Sequence, residues 1–227
     1  MQKYKAQRAR LYIADGRTFD VGPPGAKGAA GEADWREAQA KGVPNRAWFW
    51  SSRDLPNDLP QAAADLYGAT GDAATGSYDA VLVDAECTHD GSIKHVSKVS
   101  GPEDSGSLAR RVLDPERMEA LPNLQRELLL NGLRLAKPGG RVVYCTCSFA
   151  RSQNEDVVAW ALEKLGSGRV ELEAIEDAGA WPCAMGGTTT DGKRLEHVIR
   201  FDPLRSKTSS LFIARLRVKE RCAGLTS

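Results

Sequence analysis

The sequence predicts an α/β fold whose sheet is mostly parallel and covered on both faces, and three observations predict it. The run "YDAVLVDAEC" is continuously apolar from Ala80 to Val83 and stops at Asp84, as a buried parallel strand does. A second apolar run, "RVVYCT", follows some sixty positions later, at residues 141–146. Between them, residues 114–137 carry Leu121, Leu124, Leu128, Leu129 and Leu135 at helical spacing, and strands alternating with helices imply parallel neighbours.

Taken in order, "ARLYIADGRTF" reads as the end of a basic helix, a strand at Leu11–Ala14 and a turn at Asp15-Gly16. Residues 21–77, from "GPPGAKGAAGEA" to "GATGDAATGS", are rich in Gly, Pro and Ala and read as a long insertion with little regular structure. Within it Trp48, Phe49 and Trp50 read as a packing anchor rather than a base-stacking platform. The helix at 114–137 has Asp114 and Pro115 as cap and first turn, and Gly139-Gly140 as its stop. A second helix runs from Asn154 to Leu165, with Glu155 and Asp156 in its first turn, where negative charge is favoured. Further strands are expected near 170–175, 196–201 and 209–216. The last two are joined only by "DPLRSKT" and are expected to form an antiparallel hairpin at one edge.

A chain of 227 residues with 41% hydrophobic and 27% charged positions suits one globular domain with a sizeable core. No run approaches the roughly 18 apolar residues of a spanning helix, and the N-terminus lacks the apolar stretch of a secretory signal, so an intracellular protein is expected. Five scattered cysteines are expected to be reduced. A net charge of +1 gives no global attraction to nucleic acid. The basic clusters "KYKAQRAR" and Lys94, Lys98, Arg110 and Arg111 read first as solvated surface charge.

In an open parallel sheet, ligands bind at the carboxyl ends of the strands. Three polar sites fall there: Asp15, then Asp84 with Cys87, then Cys147 in "CTCS". Thiols and carboxylates on one rim suit thiolate attack with an acid handling a proton. Cys147 precedes a helix N-terminus, whose dipole lowers a thiol pKa. Cys87, His89, His95, Cys145, Cys147 and Cys183 are the candidate metal ligands, but no C-x-x-C pair exists among them. No metal is therefore expected, and Cys145 reads as a small packed hydrophobe. From the residues alone, Cys147 stands open as either a nucleophile or a buried bystander.

"DAECTHDG", "LQRELLLNGLRLAKPGGRVVYCTCSFARSQNEDVV" and "KTSSLFIARL" together resemble the RNA cytosine-5 methyltransferases of the NOL1/NOP2/Sun (RsmB-like) family, from about Ala9 to Lys219 apart from the insertion. The resemblance implies a Rossmann-like class I methyltransferase sheet, S-adenosyl-L-methionine as methyl donor, and RNA (rRNA or tRNA) as partner. It implies that Cys147, in the T-C-S motif, adds to C6 of the target cytosine, and that Cys87 assists breakdown of the adduct. Asp84 would hydrogen-bond N3 of the base and border the cofactor, and Asp15 would contact the cofactor's adenine end. Such chemistry needs a thiolate because C5 of cytosine becomes nucleophilic only after addition at C6. The base must also be unstacked, which favours single-stranded or loop RNA.

Two departures from the family pattern stand out. Its D-A-P-C-S-G motif reads Asp84-Ala85-Glu86-Cys87-Thr88-His89 here, and Glu86 beside Cys87 is expected to raise that thiol's pKa. The family's Gly-rich cofactor loop is not found upstream of "ARLYIADG", and "PPGAKGAAG" at 23–31 follows the wrong strand to replace it. The chain is thus expected to hold a partial catalytic domain at 1–219 and a tail at 220–227, with the first two strands absent and an unpaired edge beside 80–84. The alternatives are an inactive RNA-binding remnant or a zinc-stabilised binding module.

Overall fold

The computed structural model describes residues 16–17, 76, 78–92 and 114–222. Asp15, the strand at Leu11–Ala14, nearly all of the 21–77 insertion, the Trp48–Trp50 cluster, Lys94, His95, Lys98, Arg110 and Arg111 lie outside the described residues. The described elements are β1 (Tyr78–Asp84), α1 (Pro115–Leu135), β2 (Ala136–Thr146), α2 (Glu155–Leu165), β3 (Val170–Leu172), β4 (Ala184–Thr188), β5 (Arg194–Phe201), a short α3 (Pro203–Ser206) and β6 (Leu211–Val218).

The predicted α/β class holds, and β1 and β2 are parallel, in register from Ala80↔Arg141 to Asp84↔Cys145. The expectation of a mostly parallel sheet does not extend to the rest of the described strands. β2 pairs with β6, β6 with β5, β5 with β4 and β3 with β6, all antiparallel. Leu216 faces both Val142 and Leu172, so β3 lies across β6 from β2, continuing the side on which β5 pairs. The hairpin of β5 and β6 is present, but β6 is interior and β4 closes that side of the order β1-β2-β6-β5-β4. Short connections within 184–218 permit only antiparallel β4–β5 and β5–β6 pairs.

Asp114 caps α1 as predicted, its carboxylate accepting from the Glu116 and Arg117 amides. The helix ends at Leu135 rather than at the glycines, because Pro138 disfavours continued helix and residues 136–140 already belong to β2. α1 and α2 lie side by side on one face of the sheet. There Val142, Tyr144, Phe212, Ala214, Leu216 and Val198 form a core with Leu129, Leu133, Val157, Val158 and Ala161. Gly132 lets α1 approach β1: a Cβ there would stand 2.7 Å from Val83 Cγ2. On the opposite face, Glu173 sits among Arg141, Arg215 and Arg217, with Nε of Arg141 at 2.7 Å and Nε of Arg215 at 3.0 Å. That part of the face is charged, whereas Ile199 on the same face is fully buried, so among the described residues the second face is covered in part. β1 is likewise less buried than its sequence predicts: Val83 is buried, but Leu82 is 68% exposed.

Candidate active site

The site forms where β1 and β2 end together. Beyond Asp84 the ladder continues for one bond, Ala85 N–H donating to Cys145 O at 3.1 Å, and the chain then loops over the end of β2. Gln125 of α1 donates to Glu86 O at 2.7 Å, and the Thr88 amide donates to Gln153 Oε1 at 3.1 Å. Gly91 closes the loop: its N–H donates to Cys147 O at 3.1 Å, and its carbonyl accepts from Ser210 N at 2.9 Å. A Cβ on Gly91 would lie 2.4 Å from both Cys147 O and Ser210 Cβ, so only glycine permits this approach.

The loop after β2 is fixed by its own polar residues. Thr146 Oγ1 donates to Asn154 Oδ1 at 2.5 Å, Asn154 Nδ2 donates to Ser148 O at 2.9 Å, and the Phe149 amide donates to Asp90 Oδ2 at 3.0 Å. Tyr144, fully buried, donates to Gln153 O at 2.6 Å. Below them the buried Glu155 accepts from Arg200 Nε at 2.6 Å, and Arg200 also donates to Phe149 O at 3.3 Å. These hydrogen bonds tie the two loops into one rim, although Gln125 Oε1 is buried without a partner.

The two loops bring Cys87 and Cys147 together, their sulfurs 3.4 Å apart. Cys87 is buried, and Cys147 is half-buried. The two titrate as a pair: the hydrogen bond from Cys147 steadies a thiolate on Cys87, whose pKa falls to about 7, while the same bond, with burial behind it, pushes the Cys147 thiol up. The lowered thiol is therefore Cys87's, not that of Cys147 near the helix N-terminus. The expectation that Glu86 raises Cys87 is overturned: its carboxylate turns outward to Arg117, at 2.8 Å, and the sulfur pair dominates. Cys145 is not part of this pair: its sulfur lies 3.5 Å from Asp84 Oδ1, with its thiol pushed up to about 12 by burial first and Asp84 next. Asp84 is thus held against Cys145, at the carboxyl end of β1.

Of the six candidate metal ligands, the structure gathers three, Cys87, His89 and Cys147. Cys183 bonds instead to Ala178 O at 3.4 Å, and His95 lies outside the described residues. The sequence offers His89 only as a candidate metal ligand, and the structure places it at the thiol pair. Its Nδ1 is 3.1 Å from Cys147 Sγ, and its φ of 58° is left-handed, a conformation few non-glycine residues adopt. The signal available was its position, where the family motif has glycine.

A trough of about 430 Å³ runs between β1 and α1, walled by Val81, Val83, Leu128 and Leu135, with Asn131 and Asp84 as polar points. Apolar walls with a carboxylate suit part of an adenosyl cofactor that carries an ammonium group, and Asp84 is the described residue that fits it. Asp15, also expected there, lies outside the described residues.

Comparison with known proteins agrees with this reading. A 97-residue stretch is 45% identical to the 5-cytosine rRNA methyltransferase NSUN4 of Xenopus tropicalis, covering 43% of this chain and 22% of that protein. A 134-residue stretch is 34% identical to the mitochondrial tRNA (cytosine(34)-C(5))-methyltransferase of Danio rerio, covering 56% of this chain and 34% of that protein. The matches thus span about a third or less of these relatives. The crystal structure of PH0851 matches with a TM-score of 0.50 at 25% identity, over 87% of this chain and 43% of that one. The 16S rRNA methyltransferase RsmB/F family model matches residues 62–217, which include both cysteine loops and nearly all of the described sheet, so the chain belongs to that family.

Proposed function

We propose that the chain carries the cysteine centre of an RNA cytosine-5 methyltransferase that uses S-adenosyl-L-methionine and a covalent adduct between Cys147 and C6 of the base. The observation that supports it is the pair of thiols 3.4 Å apart on two interlocked loops. A single nucleophile would need one thiol, whereas attack followed by release uses two in sequence. Relatives named as rRNA and tRNA cytosine methyltransferases support RNA as the substrate class.

In the adduct-forming step the Cys147 sulfur bonds to C6, and electron density moves to C5. Its proton passes to the neighbouring thiolate of Cys87 as the Cys147 thiolate forms, so the pair keeps one proton throughout. S-adenosyl-L-methionine, when bound, supplies an electrophilic methyl group to C5. Asp84 holds the N3 edge of the base and borders the cofactor. Water then takes the C5 proton, the C5–C6 double bond re-forms, and the sulfur–C6 bond breaks with its electron pair returning to Cys147 as a thiolate, which the Cys87 thiol assists by donating a hydrogen bond to it.

The test is transfer of tritiated methyl to RNA by the chain, with Cys147→Ala and Cys87→Ala beside it. Wild type is expected to transfer, Cys147→Ala to lose transfer altogether, and Cys87→Ala to retain RNA in a denaturant-resistant adduct. RNA binding by wild type without any transfer would overturn the proposal in favour of a non-enzymatic RNA-binding remnant.

A further inference from the structure

Cys87 Sγ, His89 Nδ1 and Cys147 Sγ all lie within 4.8 Å of one another. The sulfurs are 3.4 Å apart, Cys147 is 3.1 Å from the imidazole nitrogen, and Cys87 is 3.8 Å from it. Around one tetrahedral zinc ion, bonds of about 2.3 Å to sulfur and 2.0 Å to nitrogen place sulfurs about 3.8 Å apart and sulfur–nitrogen pairs about 3.6 Å apart. Every separation here therefore lies within roughly half an ångström of that arrangement. We propose that Cys87, His89 and Cys147 form a binding site for a thiophilic divalent cation, zinc foremost, that reversibly masks the Cys147 sulfur.

Two thiolates and an imidazole are the donors that select a soft or borderline cation over magnesium or calcium. Three protein ligands leave a fourth position for water or a competing group, the pattern of an exchangeable rather than a purely structural site. The ligands are also held in advance of binding. Gly91 locks the Cys87–His89 loop to Cys147 O, and the left-handed backbone at His89 is compatible with the ring's place beside both sulfurs. The nearby alternatives are engaged elsewhere: Asp90 with Thr88 and the Phe149 amide, Cys145 with Asp84. As the cation binds, each sulfur that still carries a proton releases it to solvent and gives its electron pair to the metal. The masking rests on Cys147 being the nucleophile proposed above; the binding does not.

The probe is cobalt(II) added to the reduced, metal-free full chain, followed by zinc. One equivalent is expected to produce thiolate-to-cobalt charge-transfer absorption, which zinc then removes. Replacing a ligand should cost more than the 10-fold or greater loss typical of replacing a residue that merely supports one. Cys87→Ser, Cys147→Ser and His89→Gly are each expected to do so, while Cys183→Ser binds as wild type does. Glycine accepts the left-handed backbone, so His89→Gly removes the imidazole without forcing the loop to refold. Zinc should also protect Cys147 from iodoacetamide, and a chelator should restore labelling. No stoichiometric binding by wild type, or binding unchanged in His89→Gly and Cys87→Ser, overturns the site. Zinc binding without methyl transfer by the metal-free chain overturns the proposed function instead, so the two failures are distinct.

Discussion

Two sulfurs 3.4 Å apart cannot both be thiolates without strong mutual repulsion, and one shared proton between them is the economical arrangement. This makes the reactivity of one cysteine depend on the other. Cys147→Ala is expected to remove the principal cause of the lowered Cys87 pKa, leaving burial to act upward. In metal-free wild type, iodoacetamide labelling of the pair should therefore rise through about pH 7, and in Cys147→Ala the midpoint of Cys87 labelling should move up. An unchanged midpoint would mean that the sulfurs do not share a proton. The sequence alone supplied the candidates Cys87 and Cys147 because short motifs are local, but alternation would put Cys145 and Cys147 on one face, and it is the end of β2 at Thr146 that frees Cys147 for a different partner. The sequence misjudged the effect of Glu86, since the direction of that side chain depends on Arg117, 31 positions away.

At the level of elements, the rim is held by a contact that only glycine permits and the sheet by a carboxylate among arginines. Gly91→Ala places a Cβ where backbone and Ser210 already stand, and the loop must move. A loss of about 1–3 kcal/mol in a denaturant melt is expected, as for other overpacked sites, together with weakened coupling between the thiols. Glu173 follows β3, and its carboxyl is held below the usual carboxylate range, first by the hydrogen bond from Arg141 and also by the charges of Arg215 and Arg217. A lowered folded-state pKa stabilises the protein above the ordinary carboxylate range and is lost as pH falls through the lowered value. Melting temperature should thus decline in acid more steeply for wild type than for Glu173→Gln, whose side chain does not titrate. Equal acid limbs would remove Glu173 from that role. Helix starts were legible because Asp114, Pro115 and the first-turn acids of α2 act over a few residues, whereas the end of α1 at Leu135 was not. Strand direction was less legible: Val170–Leu172 pairs with residues some 45 positions later, and nothing in three residues specifies a partner.

Across the described residues, burial is deepest on the face of the sheet under α1 and α2. The core face of the sheet, under α1 and α2, takes Phe212, Leu216 and Tyr144 out of water entirely, whereas Leu82 on β1 remains 68% exposed. Phe212→Ala should therefore cost about 3–5 kcal/mol in a urea melt, and Leu82→Ser should stay within about 0.5 kcal/mol of wild type. A large loss from Leu82→Ser would mean that another surface covers that strand. The sequence by itself determined the α/β class, the two principal helices, the parallel β1–β2 pair, the family and the candidates Cys87 and Cys147, because periodicity, caps and short motifs are written in neighbouring residues. Only the tertiary structure decided that β6 lies inside the sheet and that Glu155 meets Arg200. It alone brought His89 beside two sulfurs contributed by loops 60 residues apart, because such contacts are set by chain packing over distances that no local pattern encodes.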